Sequence, residues 1–199
     1  MEQNEICRNF YVKVLGIDND TLLNQLLNLS FVKYIEKKEY LIHLGEKEKY
    51  LYFLDEGILR AFMDKNNYQE LTDCFFYRKG TPVIAATKVD RVYHSSMIIQ
   101  ALSDCTLIAL PISIFHILLK EYSSLKDIYI YWLSDSLQMH MELKYARSLD
   151  TVGRCKWFIQ KYPDLIGKIQ KQYIASFLNM TLSYYGKAMK KIQKNTDEI

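Results

Sequence analysis

Between residues 31 and 110 the chain is a succession of short apolar runs, each rich in β-branched and aromatic residues and each closed by a turn signal. Single glycines such as Gly45 and Gly57 separate the runs, and residues 64–67 (DKNN) form a polar turn. These features predict strands at residues 39–43, 50–54, 58–63, 69–77, 83–87, 96–102 and 106–110. Strands this closely spaced predict an antiparallel sandwich, barrel or jelly roll.

Helical patterns flank the strands, so the fold class is α+β. Residues 19–30 predict a short helix capped by Asp20, and residues 112–120 predict another after Pro111. In the longest pattern, over residues 125–146, apolar side chains alternate at steps of four and three, like a coiled-coil seam. The members of this seam are Leu125, Tyr129, Trp132, Ser136, Met139, Leu143 and Ala146. The seam predicts a homodimer interface across a two-fold axis, or else a helix that lies on its own β-domain.

Residues 171–192 outline a helix–turn–helix, because the helical period stops at residues 179–181 and then resumes. Asn179 tolerates the positive φ of a sharp turn, and Thr181 can cap the second helix. The wedge between the helices would be filled by Ile174, Leu178, Met180, Tyr185 and Ala188, with the small Ala175 at the crossing. The predicted DNA-binding residues on the outer side are Thr181, Ser183, Tyr184, Lys187, Lys190 and Lys191. The alternative is an ordinary αα-hairpin with solvated lysines.

Basic charge is concentrated in the same part of the chain. Residues 151–199 carry nine Lys and Arg against three Asp and Glu, a net charge of +6, whereas residues 1–150 carry a net −3. Such asymmetry indicates a surface that meets nucleic acid on an otherwise near-neutral body. A basic tail that only aids solubility is the other interpretation.

Several function classes lack their motifs. The four cysteines are scattered without a CxxC pair, which argues against a structural zinc site. There is no nucleophile elbow, phosphate-cradling glycine loop or recognisable carboxylate pair, so no enzyme activity is expected. The N-terminus lacks a secretory pattern and no run approaches 18 apolar residues, so we expect a cytoplasmic protein with reduced thiols.

Six strings in order resemble the Crp/Fnr family of bacterial transcription regulators over nearly the whole chain. Residues 39–45 (EYLIHLG) and 50–60, with their spaced glycines, are similar to the opening of that family's β-roll. Residues 100–105 are similar to the strand and turn that leave the family's ligand cassette, and residues 149–154 (LDTVGR) are similar to its hinge. Residues 158–163 (FIQKYP) are similar to the first helix of its DNA-binding domain. Residues 171–192 are similar to its helix–turn–helix, with Gly186 before Lys187.

The resemblance implies a cyclic-nucleotide-binding-like β-roll at residues 1–120, a dimerisation helix at 121–148 and a DNA-binding domain at 149–199. It also implies a homodimer that binds an inverted-repeat operator in double-stranded DNA. A small-molecule effector at the boundary of the β-roll and the long helix would control the tilt of the DNA-binding domains. The residues we assign to that effector are Ser95, Ser96 and His140.

Two departures from the family pattern matter. Ser95 stands where cyclic-nucleotide-binding members carry the arginine that holds the phosphate, and a hydroxyl cannot reproduce that charge-assisted pair. We therefore expect no tight binding of cyclic AMP. The family's common Glu and Arg base readers fall on Ser183 and Lys187, so the operator should differ, and no β-wing is expected after Ile192.

Other interpretations stay open. His140 could ligate haem, as haem-sensing relatives use such residues, but a histidine satisfied by a neighbour at a helix seam is favoured. The chain could also be a ligand-binding or interaction module whose DNA-binding end has degenerated, or a β-roll enzyme of the cupin sort. The basic segment 151–199 argues against both, and the lack of two histidines on one strand argues against the enzyme.

Overall fold

The computed structural model describes residues 2–65, 69–83 and 94–197. The chain divides into two compact units. Unit 1 comprises Met1–Met63 with Cys74–Leu133, and unit 2 comprises Asp64–Asp73 with Ser134–Ile199. The division falls inside the long helix and assigns a short piece of the strand region to unit 2. The domain boundaries at residues 120 and 148 stay predictions.

The strands form two antiparallel four-stranded sheets. One sheet has the order β1-β8-β3-β6 and the other has the order β2-β7-β4-β5. The strands are β1 (Phe31–Ile35), β2 (Tyr40–Ile42), β3 (Tyr50–Glu56), β4 (Leu59–Lys65), β5 (Gln69–Phe76), β6 (Pro82–Val83), β7 (Ile98–Ala101) and β8 (Cys105–Pro111). This arrangement confirms the predicted antiparallel β-roll. Residues 84–87 of the strand predicted at 83–87 lie outside the described residues.

The side chains of β3 and β8 alternate between the two faces of the first sheet, and both faces are buried. Phe53 pairs with Ile108 and Leu54 pairs with Leu107 in the antiparallel register. Successive residues of a strand point to opposite faces. Phe53 and Ile108 accordingly join a core under the helices, whereas Leu54 and Leu107 join a second core with residues of the other sheet.

Gly57 makes the tight turn between β3 and β4. Its φ is +110°, a conformation that side-chain-bearing residues rarely adopt. A Cβ atom there would come within 2.6 Å of the Asp104 carbonyl oxygen and 2.8 Å of the Cys105 Cα. Glycine is therefore required at this position by both conformation and space.

The helices of unit 1 cover the first sheet. They are α1 (Glu2–Asn9), which continues as a π-helical turn (Phe10–Val14), α2 (Asp20–Leu29), α3 (Ile112–Glu121) and the first part of α4 (Ser123–Ser148). The cap of α2 is Asn19 rather than the predicted Asp20, since Asn19 Oδ1 accepts from the Leu22 N–H at 2.9 Å. Asp20 is instead the first helical residue.

Unit 2 contains the rest of α4, three further helices and Asp64–Asp73 of the strand region. These are α5 (Thr151–Lys161), α6 (Lys171–Phe177) and α7 (Leu182–Asp197), with a 3-10 turn (Pro163–Leu165) after α5. Asp150 caps α5 by accepting from the Gly153 N–H at 2.7 Å. An aromatic cluster holds the unit together and consists of Trp157, Phe158, Tyr162 and Phe177.

Candidate nucleic-acid interface

Helices α6 and α7 form a helix–turn–helix whose turn is closed by backbone hydrogen bonds. The Leu178 N–H donates to the Ile174 carbonyl and the Met180 N–H donates to the Ala175 carbonyl, both at 3.0 Å. Between them Asn179 has a φ of +53°. The prediction of a turn at a residue that tolerates positive φ is confirmed.

The cap and the wedge of this motif also form as the sequence predicts. Thr181 Oγ1 accepts from the Tyr184 N–H at 3.2 Å, which satisfies one free donor at the start of α7. The buried wedge residues are Ile174, Ala175, Leu178, Tyr185 and Ala188, and Met180 is half-buried. Tyr185 and Ala188 of α7 are thus buried within unit 2.

The other side of α7 is polar, cationic and exposed. It carries Ser183, Tyr184, Lys187, Lys190 and Lys191, which we call the lysine face. At 100° per residue, Ser183, Lys187 and Lys190 lie roughly opposite the buried Tyr185 and Ala188. The structure therefore brings five of the six predicted DNA-binding residues onto one surface, with Thr181 at its N-terminal end.

Tyr184 contacts the central lysine of this surface. The Lys187 ammonium lies over the Tyr184 ring, 5.8 Å from its centroid, which is within the range of a cation–π contact. Tyr184 is itself exposed, so the pair presents an aromatic ring and a cation together to solvent. Both groups can contact the bases and backbone of a duplex.

Two arginines bind the carbonyl groups at the end of α6. Arg147 donates from Nε and Nη2 to the Phe177 carbonyl, at 3.2 and 2.9 Å. Arg154 Nη1 lies 3.2 Å from the carbonyls of both Leu178 and Asn179. Burial lowers the pKa of the Arg147 guanidinium, but arginine stays protonated in proteins. These cations satisfy carbonyls that the helix leaves free and so fix the turn.

Ser176 joins α6 to the start of strand β5 within unit 2. Its hydroxyl accepts from the Thr72 N–H at 2.9 Å and donates to the Glu70 carbonyl at 2.6 Å. Thr72 is completely buried, and β5 is the edge strand of its sheet. One serine side chain thus satisfies a donor and an acceptor of a sheet edge. Sequence reasoning missed this contact, as it missed both arginines.

Two of the three residues assigned to an effector, Ser95 and His140, have partners within the protein. Ser95 is 3% exposed and its hydroxyl donates to the Met97 carbonyl at 2.7 Å, whereas Ser96 is exposed. His140 belongs to unit 2, where its Nδ1 lies 2.7 Å from the Ser136 carbonyl and its Nε2 lies 3.5 Å from Asp73 Oδ2. Effector binding by these residues stays a prediction.

The seam predicted for dimerisation lies largely against the protein itself. Leu125 is 2% exposed in the core of unit 1, and Tyr129 and Trp132 pack on that core. Leu143 is buried in unit 2, Met139 is half-buried and only Ser136 is exposed. The alternative, a helix lying on its own β-domain, therefore describes the N-terminal part of α4. Dimerisation through this seam stays a prediction.

A different apolar face of α4 is exposed. Its members are Ile130, Leu133, Leu137, Met141 and Tyr145, which we call the α4 stripe. Helical geometry places this stripe on the side of α4 away from Trp132 and Leu143. In unit 2 it borders a groove of about 550 Å³ that also includes Trp157. Glu142 on α4 and Lys161 on α5 form an ion pair with an N–O distance of 2.5 Å.

The described residues contain no group of three or more His, Cys, Asp or Glu side chains placed to hold a metal ion. The cysteines are free thiols, and burial raises the pKa of Cys155 to about 11. In the same part of the chain no helix is long and apolar enough to cross a membrane.

Solved structures with this fold are numerous. FixK2 from Bradyrhizobium japonicum matches with a TM-score of 0.74 at 11% identity, covering 84% of this chain and 86% of its own. A regulator of the Crp/Fnr family from Eubacterium rectale matches with a TM-score of 0.72 at 15% identity, covering 89% and 84%. A mutant of CooA from Carboxydothermus hydrogenoformans matches with a TM-score of 0.70 at 16% identity, covering 94% and 84%.

No protein-family model matches the sequence, and no curated protein matches it at a significant level. Identities of 11–16% establish a shared fold rather than a shared activity. The matches cover 84–94% of this chain, which contains the β-roll, the long helix and the helix–turn–helix in that order. The chain therefore has the fold of the Crp/Fnr transcription regulators.

Proposed function

We propose that this protein is a sequence-specific DNA-binding transcription regulator that acts as a homodimer. The observation that carries the proposal is the lysine face, an exposed cationic surface on the second helix of a well-formed helix–turn–helix. In that motif the second helix enters the major groove and its first residues contact base edges. The fold shared with Crp/Fnr regulators supports the same function.

The chemistry of the lysine face suits a duplex. Ser183 and Lys187 lie near the start of α7, where a hydroxyl and an ammonium can reach base acceptors such as guanine O6 and N7. Lys190 and Lys191 lie a turn further on and can neutralise phosphates. Net charge supports this assignment, since the segment that contains α7 holds an excess of six positive charges.

The α4 stripe supports the dimer. Its exposed apolar side chains repeat along one side of a 26-residue helix, and a second copy related by a two-fold axis would cover the same residues on both chains. A two-fold dimer binds half-sites about 34 Å apart, which matches one turn of DNA. Control by an effector is a separate prediction on which this proposal does not depend.

The test is selection of bound sequences from a random pool of duplexes at two salt concentrations. We expect an enriched inverted repeat whose half-sites are about one helical turn, or roughly 10 base pairs, apart. If the protein bound all sequences alike in a salt-sensitive way, or bound none, the alternative of a module with a degenerate DNA-binding end would be favoured.

Lys187→Ala then tests the assignment of α7. We expect weaker operator binding and relaxed selection at one base pair of each half-site, because a lysine contact to a guanine edge is worth about 1–3 kcal/mol of discrimination. Lys156→Ala is the matched control, since Lys156 is an exposed lysine of unit 2 on α5. Equal binding by both variants would contradict the placement of α7 on the DNA.

A further inference from the structure

The first residue of α7 is an exposed leucine. Leu182 follows the capping Thr181 and is 52% exposed, although the wedge beside it is closed by Tyr185 and Ala188. An isolated exposed leucine is common on protein surfaces. This one, however, lies at the start of the helix that carries the lysine face, at a position from which such helices contact base edges.

One turn later the same flank of α7 carries a glycine without a structural reason. A Cβ atom built on Gly186 meets no atom within 4 Å among the described residues, and its φ is not in the left-handed region. Apart from proline, glycine is the least favourable residue for a helix interior. Neither close packing nor backbone conformation within the described protein therefore accounts for Gly186.

The two positions are connected by helical geometry. Residues at i and i+4 are neighbours on a helix surface, and a helical side chain lies over the turn N-terminal to its own Cα. A long side chain at position 186 would therefore lie over Leu182, whereas a Cβ atom alone stays more than 4 Å from it. Glycine leaves the leucine open and leaves the helix backbone bare beside it. We call this open apolar surface the Leu182–Gly186 strip.

We propose that the Leu182–Gly186 strip recognises the 5-methyl group of a thymine in each operator half-site. This inference rests on the proposed function and names the base chemistry that α7 reads. Thymine is the base that presents an apolar group in the major groove. A cytosine at the same place carries only a hydrogen atom at C5, so Leu182 would lose the apolar contact that the methyl group provides.

Charge identifies DNA as the occupant of the strip. The adjacent Ser183, Lys187 and Lys190 form the polar centre of the same helix surface, so the strip is bordered by cations and a hydroxyl. A duplex offers phosphates and an apolar methyl group within one groove. The bare backbone at Gly186 lets the helix approach the base pair more closely than any side chain would permit.

The experiment replaces each thymine of the selected operator in turn by deoxyuridine, which removes only the methyl group. We expect one thymine per half-site whose replacement weakens binding about fourfold, or about fifteenfold when both half-sites are changed, as for loss of one buried methyl group per site. With Leu182→Ala the same replacement should have no effect on affinity, whereas Leu182→Ile should restore the methyl dependence.

Gly186→Ala provides an independent measurement. We expect it to raise the melting temperature of the protein, because alanine favours the helix, and to weaken operator binding, because the added methyl group holds the helix backbone away from the base pair. Gln193→Ala is the control, since residue 193 lies on the same flank two turns further along. Unchanged operator affinity in Gly186→Ala would overturn the proposal.

The outcomes separate this inference from the proposed function. An operator that is selected but shows no methyl dependence at any thymine refutes the strip and leaves the regulator intact. Methyl dependence that survives in Leu182→Ala refutes the role of the leucine. Failure to select any sequence refutes the regulator itself. Circular dichroism of each variant confirms that it is folded before its affinity is interpreted.

Discussion

Replacing Ser176 with alanine removes the hydroxyl that joins α6 to strand β5. This hydroxyl accepts from the Thr72 N–H at 2.9 Å and donates to the Glu70 carbonyl at 2.6 Å. Because Thr72 is 0% exposed, its N–H group cannot turn to water when the hydroxyl is lost. Glu70 is exposed, and its carbonyl can be hydrated instead. The loss is therefore concentrated on one buried donor.

The structure sets the size of the effect. Leaving a buried donor unsatisfied costs about 1–3 kcal/mol. Alanine favours a helix more than serine does by ~0.5 kcal/mol, which offsets part of that loss. We expect Ser176→Ala to lower the free energy of unfolding of unit 2 by about 0.5–2.5 kcal/mol. The matched control is Ser183→Ala, an exposed serine of α7 with no side-chain hydrogen bond in the described part of the chain, which gains the helix propensity alone.

Two measurements test this reasoning. Urea denaturation followed through the fluorescence of Trp157 reports on unit 2, although Trp132 in unit 1 has to be replaced by phenylalanine to isolate the signal. Hydrogen exchange of the Thr72 amide reports on the bond directly, because exchange follows local opening. Equal stability of the two alanine variants, together with unchanged protection of the Thr72 amide, would refute the role assigned to Ser176.

Three further predictions concern single residues. Thr181→Ala should lower the stability of unit 2 by ~1 kcal/mol in urea denaturation, whereas Thr181→Asn should not, because asparagine also caps a helix. Burial raises the pKa of Cys155 from 9.0 to about 11, so its stabilising effect is complete below pH 9 and is lost as pH rises towards 11. Cys155→Ala should lack that part of the pH dependence. Leu137→Glu should yield monomers in sedimentation equilibrium if the α4 stripe forms the dimer, whereas Ile117→Glu, an exposed apolar position on α3, should not.

The helix–turn–helix could be predicted from the sequence because its determinants are local. Asn179 and Thr181 act within a few residues of themselves, one through its own φ and the other through the Tyr184 N–H. The strands could be predicted for the same reason, since apolar and polar residues alternate along them and single glycines mark their ends. The predicted cap of α2 was wrong by one residue, because Asn19 and Asp20 are adjacent and both residue types are good helix caps.

The face of α4 could not be predicted in this way. The helix is apolar on two sides, one with Leu125 and Trp132 and the other with Leu137 and Met141. Periodicity shows that both faces exist but not which of them meets the protein's own core. That choice depends on distant residues such as Phe53, whose ring lies 5.2 Å from the Trp132 ring. The face with the more regular heptad pattern, which includes Leu125 and Trp132, is the one that packs on the core of unit 1.

The contacts around α6 were missed for another reason. Arg147, Arg154 and Ser176 all bind backbone groups rather than side chains. A backbone carbonyl leaves no mark on the sequence, because every residue has one. These contacts also span 24 to 106 positions along the chain. No spacing rule within a helix or strand could have connected them.

The lysines of α7 destabilise the free helix that carries them. Lys187 is one turn from Lys190 and Lys191, and like charges at these spacings cost about 0.2–0.5 kcal/mol per pair at low salt. Phosphates laid along this face would replace repulsion with attraction, so salt should affect the free protein and the complex in opposite directions. Added salt should raise the melting temperature of the free protein while weakening operator binding, and Lys190→Gln should reduce both effects. If salt lowered the melting temperature of the wild type and Lys190→Gln alike, the repulsion inferred here would not be present in α7.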